Sequence, residues 1–240
     1  MKDFYAAIEN ILLTSDPQII QLKSLRNLMM HSLNANDFKL SCVETLLAGM
    51  ETEDWDQPDF YYHDKLNFSV RMVIWPAFYE NNPHQHKTWS VTGVFWQHLK
   101  IKTYDLLAAP KRLRVNQAIE ASAGQAGFLQ PGCIHNIFNP SHQLSASLHI
   151  FNHIDYAQPE HNAIWYPAPR KFNLSSGALE RAMHVGIAVC RNIQNKKSLQ
   201  LLQRIFAMAP CELKLQAAHA IYQQRADLGK NMFNQVETFL

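Results

Sequence analysis

Glycine is scarce, at eight residues in 240, and no internal repeat or low-complexity tract interrupts the chain. A linker-joined array of small modules is therefore not expected. Cysteine is scarce too. Cys42, Cys133, Cys190 and Cys211 are scattered without CxxC spacing, which argues against a disulfide framework or a zinc knuckle. Buried, reduced thiols in a cytoplasmic protein are the expectation. The net charge of +2 and pI near 8.3 provide no basic field of the kind nucleic acid requires, so no nucleic-acid partner is expected. No apolar run approaches a membrane span, and the start Met1-Lys2-Asp3 does not read as a signal peptide; no membrane partner is expected. What the chain has in quantity is apolar residues, 47% of the total. That is enough for a full core, in one domain or one with an appendage.

Residues 1 to about 50 read as helical. Phe4, Ile8, Ile11 and Leu12 mark one apolar face, and Ser15-Asp16-Pro17-Gln18 fits a capping box before Ile19, Leu22, Leu25, Leu28 and Met29. A third short helix carries Val43, Leu46 and Leu47, and the segment 51–60 reads as a loop. Strands follow. From Asn67 to Trp75, Phe68, Val70, Met72 and Ile74 alternate with Ser69, Arg71, Val73 and Trp75. Further strands are predicted over 88–96, 98–106, 113–121, 134–138 and 144–152, with turns at Pro110, Pro131-Gly132 and Pro140. Their number and spacing suggest an antiparallel sandwich or small barrel. The segment 152–170 reads as a loop. Beyond Ser175-Ser176, taken as an N-cap pair, Leu179, Met183, Ile187, Cys190 and Ile193 form a helical stripe, and two more helices flank Pro210. The expected architecture is mainly β: a helical segment at 1–52 packing on a barrel at 53–155, then a loop and helical extension at 156–240.

Chemistry concentrates in two stretches, Pro83 to Val94 (PHQHKTWSVTGV) and Pro131 to Asn139 (PGCIHNIFN). His84 and His86 stand two apart in a segment that reads as a strand, so their imidazoles share a face. His135 follows the Pro131-Gly132 turn and opens another strand. Three neutral imidazoles converging from two strands make a facial N3 metal site with open positions opposite. The residue types do not choose the metal, since imidazole suits zinc, copper, nickel and iron alike.

These motifs resemble those of the cysteine dioxygenase-type thiol dioxygenases, within the cupin superfamily. The resemblance runs over roughly 54–151. It rests on Trp75, Pro83, His84, His86, Thr88-Trp89 and Gly93-Val94, then Pro131-Gly132, His135 and Asn139, then Ser147, His149 and Phe151. It implies a cupin-type jelly-roll barrel and ferrous iron on His84, His86 and His135. It also implies a small thiol and O2 as substrates, giving a sulfinic acid, with Ser147 and His149 as the catalytic relay. The departures bear on substrate. Phe151 stands where relatives have a tyrosine, and Ser90 lies near where some carry the cysteine that crosslinks to it. Where relatives that use cysteine hold an arginine for the substrate carboxylate, the local match Tyr62-His63-Asp64 offers His63. Gln97 occupies a position relatives fill with glycine. Trp75, Trp89, Arg71, His63, Tyr62 and Phe151 are therefore the candidate pocket residues, Arg170 is a further arginine beyond the third motif, and plain cysteine is not the expected substrate. Two alternatives stay open. One is another cupin metalloenzyme, a non-thiol oxygenase or an isomerase. The other is a non-enzymatic metal-binding scaffold whose C-terminal helices bind a partner or a second copy.

Overall fold

The computed structural model describes residues 1–50, 59–107, 112–158, 161–166 and 177–237. No helix among them is long and apolar enough to cross a membrane. The chain divides into two units, Met1–Asn34 with Asp59–Asn173, and Ala35–Pro58 with Leu174–Leu240.

The first unit opens with helices α1 (Lys2–Leu12) and α2 (Gln18–Asn34), which pack on each other. Its strands are β1 (Asp59–His63), β2 (Phe68–Trp75), β3 (His84–His86), β4 (Ser90–Trp96), β5 (His98–Leu107), β6 (Arg112–Ser122), β7 (Ala126–Leu129), β8 (Ile134–Phe138), β9 (Ser145–Asn152) and β10 (Ala163–Trp165). They form two antiparallel sheets, ordered β1-β2-β9-β4-β7 and β10-β3-β8-β5-β6. From β2 to β5 and again from β6 to β10 each strand crosses to the other sheet, while β1–β2 and β5–β6 pair within one sheet. The two faces of the first sheet differ as the alternation requires. On β4, Ser90, Thr92 and Val94 line the interior cavity, so Val91, Gly93 and Phe95 face the other way, towards α2.

That outer face explains Gly93. A β-carbon there would sit 2.7 Å from Met29 Cγ and closer still to Leu33 Cδ1, both on α2. Gly93→Ala should therefore destabilise the protein by about 1–3 kcal/mol through overpacking, measurable as a lowered thermal midpoint; an unchanged midpoint would contradict this seating of α2. At the β4–β5 turn, Gln97 has φ of +61°, the left-handed region in which glycine is favoured. The resemblance places a glycine at that position.

The second unit is helical: α3 (Asn36–Met50), α4 (Ala178–Asn192), α5 (Lys196–Met208), α6 (Cys211–Gln224) and α7 (Ala226–Glu237). Residues 36–50, grouped on sequence with the N-terminal helices, pack on α4 and α5. Gly186 of α4 lets Ile205 and Val43 approach. A capping box opens α5: Asn195 Oδ1 accepts from the Ser198 amide at 2.8 Å, and Ser198 Oγ accepts from the Asn195 amide at 2.9 Å.

Several expectations need correction. The described residues are not mainly β, since 45% of them are helical; α3 runs to 15 residues, and α7 has no counterpart in the sequence reading. Nor is the barrel closed, because β1, β7, β10 and β6 end the two sheets without a ladder joining them among the described residues. The histidine pair does not share the strand predicted over 88–96. It lies on β3, in the opposite sheet from β4. Strand β10 falls within the segment read as a loop over 152–170, β1 begins inside the one read over 51–60, and β7 lies in a stretch given no element. Leu179, placed in the buried stripe, is 41% exposed, while Ala178 and Ala182 are buried. Ser175, Ser176, Pro110 and Arg170 lie outside the described residues; the N-cap of α4 is Gly177.

Candidate metal centre

Strand geometry brings the three histidines together. Residues 84 and 86 share a face of β3, and β3 pairs antiparallel with β8 so that His84 stands directly opposite His135. One ring nitrogen from each lies within 4.8 Å of the other two. The ring centroids are 4.4 Å apart for His84–His135, 5.0 Å for His84–His86 and 5.3 Å for His86–His135. Two of the rings are oriented by main chain. His84 Nδ1 donates to the Asn82 carbonyl at 3.0 Å, and His135 Nδ1 to the Cys133 carbonyl at 3.1 Å. A carbonyl only accepts, so each bond fixes the proton on Nδ1 and leaves the Nε2 lone pair for a metal.

The rings are held neutral, as metal ligation requires. Burial lowers the His84 pKa, against the pull of the Asn82 carbonyl. Burial, with His84, His149 and His153 nearby, brings His86 down to about 3. His135 lies well below its ordinary value, chiefly through burial and then through His84 and His86. No carboxylate joins the cluster among the described residues. A divalent ion on this neutral donor set keeps its full positive charge and favours an anionic ligand. The residues thus fit a metal by donor type, tautomer and convergence.

Beside the triad runs a buried polar chain on the facing sheet. Trp75 Nε1 donates to Ser147 Oγ at 2.7 Å, Ser147 Oγ lies 2.7 Å from His149 Nε2, and His149 Nδ1 lies 2.9 Å from Thr92 Oγ1. Burial foremost, then the positive charge of Arg71, brings His149 down to about 3. Phe151 stacks on His149 at 4.9 Å and tilts over His86 at 5.3 Å. It therefore sits between the polar chain and the triad and adds no donor. Its direct cross-strand partner is Ser90.

The remaining candidates separate cleanly. Trp75, Arg71 and Phe151 line a cavity of about 470 Å³ that also holds the triad. Arg71 is already engaged there: its Nε donates to Asp59 Oδ1 at 2.6 Å and its Nη2 to Asp59 Oδ2 at 3.2 Å, and Asp59 also accepts from Tyr156 Oη at 2.6 Å. Trp89 is buried but does not line the cavity. It is one residue out of phase with Ser90, Thr92 and Val94, so the expectation of a pocket role is corrected by strand parity. Tyr62 and His63, on β1, do not line the cavity either. Tyr62 stacks on Tyr156 at 3.8 Å, and the His63 ring stacks on Phe68 at 5.5 Å.

Two site residues escaped the sequence reading. Thr92 carried no motif of its own. Trp165 belongs to β10, which pairs with β3 and sets Trp165 opposite His84, their rings 4.3 Å apart. The short run Ala163-Ile164-Trp165 was its only signal, hidden among prolines.

No family model and no curated protein matches the sequence. Solved structures are similar to parts of it. One is an oxalate oxidase in complex with glycolate, 19% identical with a TM-score of 0.35 over 43% of this chain and 48% of that one. Another is a cupin superfamily protein from Desulfitobacterium hafniense, 11% identical with a TM-score of 0.32 over 43% of this chain and 85% of that one. A third is the DMSP lyase DddQ from Ruegeria pomeroyi, 12% identical with a TM-score of 0.33 over 44% of this chain and 46% of that one. This chain thus spans about half the length of the oxalate oxidase and the lyase.

Proposed function

We propose that this chain is a metal-dependent oxidoreductase of the thiol dioxygenase type, with ferrous iron held by His84, His86 and His135. The observation that carries the reading is the convergence of three neutral imidazoles with no carboxylate among them. The choice of iron, and of a thiol, rests on the ordered motifs that resemble the thiol dioxygenases. Iron held by these three histidines would supply Lewis-acid and dioxygen chemistry to an anionic substrate group. The overall reaction balances without a further reductant: one thiol and one O2 give one sulfinic acid.

The chain's own residues orient and enclose. Carbonyls of Asn82 and Cys133 aim two of the imidazoles. The Trp75–Ser147–His149–Thr92 chain holds a neutral imidazole in a fixed orientation against the cavity, both its nitrogens engaged. Phe151, where the resemblance places a tyrosine, faces Ser90, which lies near where some relatives carry the crosslinking cysteine, across the β4–β9 ladder. A substrate carboxylate seeking Arg71 would have to compete with Asp59. Among the described residues of the cavity, cysteine would meet a phenyl ring at 151 and, at 71, an arginine already paired with Asp59.

The test is metal analysis of the purified protein followed by oxygen uptake over a panel of small thiols. Iron near one per chain with thiol-dependent uptake and sulfinate formation is the expected result. Iron that supports uptake only with non-thiol substrates, or purified protein that neither holds nor takes up iron, would overturn it.

A further inference from the structure

The cavity continues well past the triad. Its apolar walls include Val94, Leu99 and Ile137, all buried to 5% exposure or less. Ile119 of β6, which is 48% exposed, and Leu129 of β7 also line it. Strands β6 and β7 are the outer strands of different sheets, so the cavity opens where the sandwich is unsealed.

Several of its polar side chains are engaged elsewhere. Arg71 bonds Asp59, Thr92 faces His149, and Asn81 Oδ1 accepts from the Ile137 amide at 2.7 Å. Gln125 Oε1 accepts from the Ser122 amide at 2.7 Å, and Glu120 pairs with Lys100 at 3.2 Å. The triad can hold an anionic head, and the passage beyond it offers mainly apolar surface. At about 470 Å³ the space falls in the range of pockets that enclose drug-sized ligands, roughly 300–1,000 Å³. A ligand of only a few atoms would leave on the order of ten waters facing aliphatic walls, at ~30 Å³ each.

We infer that the substrate is an amphiphilic thiol, with its sulfur at the triad and an extended apolar body running past Leu99 and Ile137 to the opening at Ile119. The inference rests on the metal-centre reading for the sulfur end. The apolar body rests on the cavity alone.

Calorimetry under anaerobic conditions separates the two. Iron-loaded full-length protein is titrated with straight-chain thiols from ethanethiol to octanethiol, and the series is repeated on metal-free protein. Affinity should rise about four-fold for each added methylene, the ratio that ~0.8 kcal/mol represents, until the cavity is filled. Ile119→Glu, a change at an exposed position, should remove the gain for the longest chains by placing a carboxylate in their path. Affinity that is flat or falls with chain length overturns the inference. The same slope with a uniformly weaker affinity in the metal-free protein supports both ends of the reading, whereas affinities equal at every chain length with and without iron support the apolar body while removing the metal-centre reading.

Discussion

Replacing His135 with alanine should strip the metal from the protein while leaving it folded. Structural zinc sites are worth about 10–16 kcal/mol over their ligands, so one imidazole of three carries on the order of 3 kcal/mol, a hundred-fold or more in affinity. His135 is the ligand best suited to this test. It lies on β8, paired to both β3 and β5, so the ladders survive truncation of its side chain. The wild-type protein should also gain thermal stability on adding metal, about 4 kcal/mol when the free metal is a thousand times its Kd. His135→Ala should lose that response, and His84→Ala and His86→Ala should behave alike. Unchanged metal content in all three variants, by mass spectrometry on desalted protein, would remove the triad from the metal-site assignment.

Acidification should unfold the metal-free protein over an unusually steep range. An ordinary imidazole titrates at 6.5, whereas burial holds His86 and His149 at about 3 in the folded chain, with His84 and His135 also lowered. Below 6.5 the unfolded chain therefore binds protons that the folded chain refuses. The stability that these neutral rings permit is complete above pH 6.5 and declines as pH falls below it. Each fully buried group contributes about 1.4 kcal/mol per pH unit within the window, and half-buried His86 contributes less. With several such groups acting together, a stability of about 5–15 kcal/mol should be exhausted between pH 6 and 4, above the range where carboxylates dominate. Urea midpoints measured at half-unit steps test this. A stability that is flat from pH 7 to 5 would show that these imidazoles are not buried in neutral form.

Local chemistry was legible wherever it depended on periodicity. The two-residue repeat of β2 alone places Arg71, Val73 and Trp75 on one face, and the same repeat puts His84 and His86 together. The Pro131-Gly132 turn marked the start of the β8 run, and Pro210 marked the break between α5 and α6. Where parity was not applied, the reading slipped: Trp89 is one residue out of phase with the cavity-facing positions of β4. The helical stripe from 179 onward was found in the right place, but its buried face includes Ala178 and Ala182 rather than Leu179, because small residues let helices approach closely and carry little hydropathy signal.

What the sequence by itself determined is therefore the set of local faces: which residues of each strand or helix must point the same way, and that three imidazoles are available to converge. What only the tertiary structure decided is which faces meet. Ladder pairing set His135 opposite His84 and brought Trp165 over the same ring from a segment that reads as loop. It carried β3 into one sheet and β4 into the other, set Asp59 on β1 to engage Arg71, and left β6 and β7 apart so that the cavity opens at Ile119. Three-residue strands such as β3 and β10 have too few positions to show a period. Pairings between residues scores of positions apart leave no local trace, because their free energy comes from burial and ladder bonds that exist only once the sheets have formed.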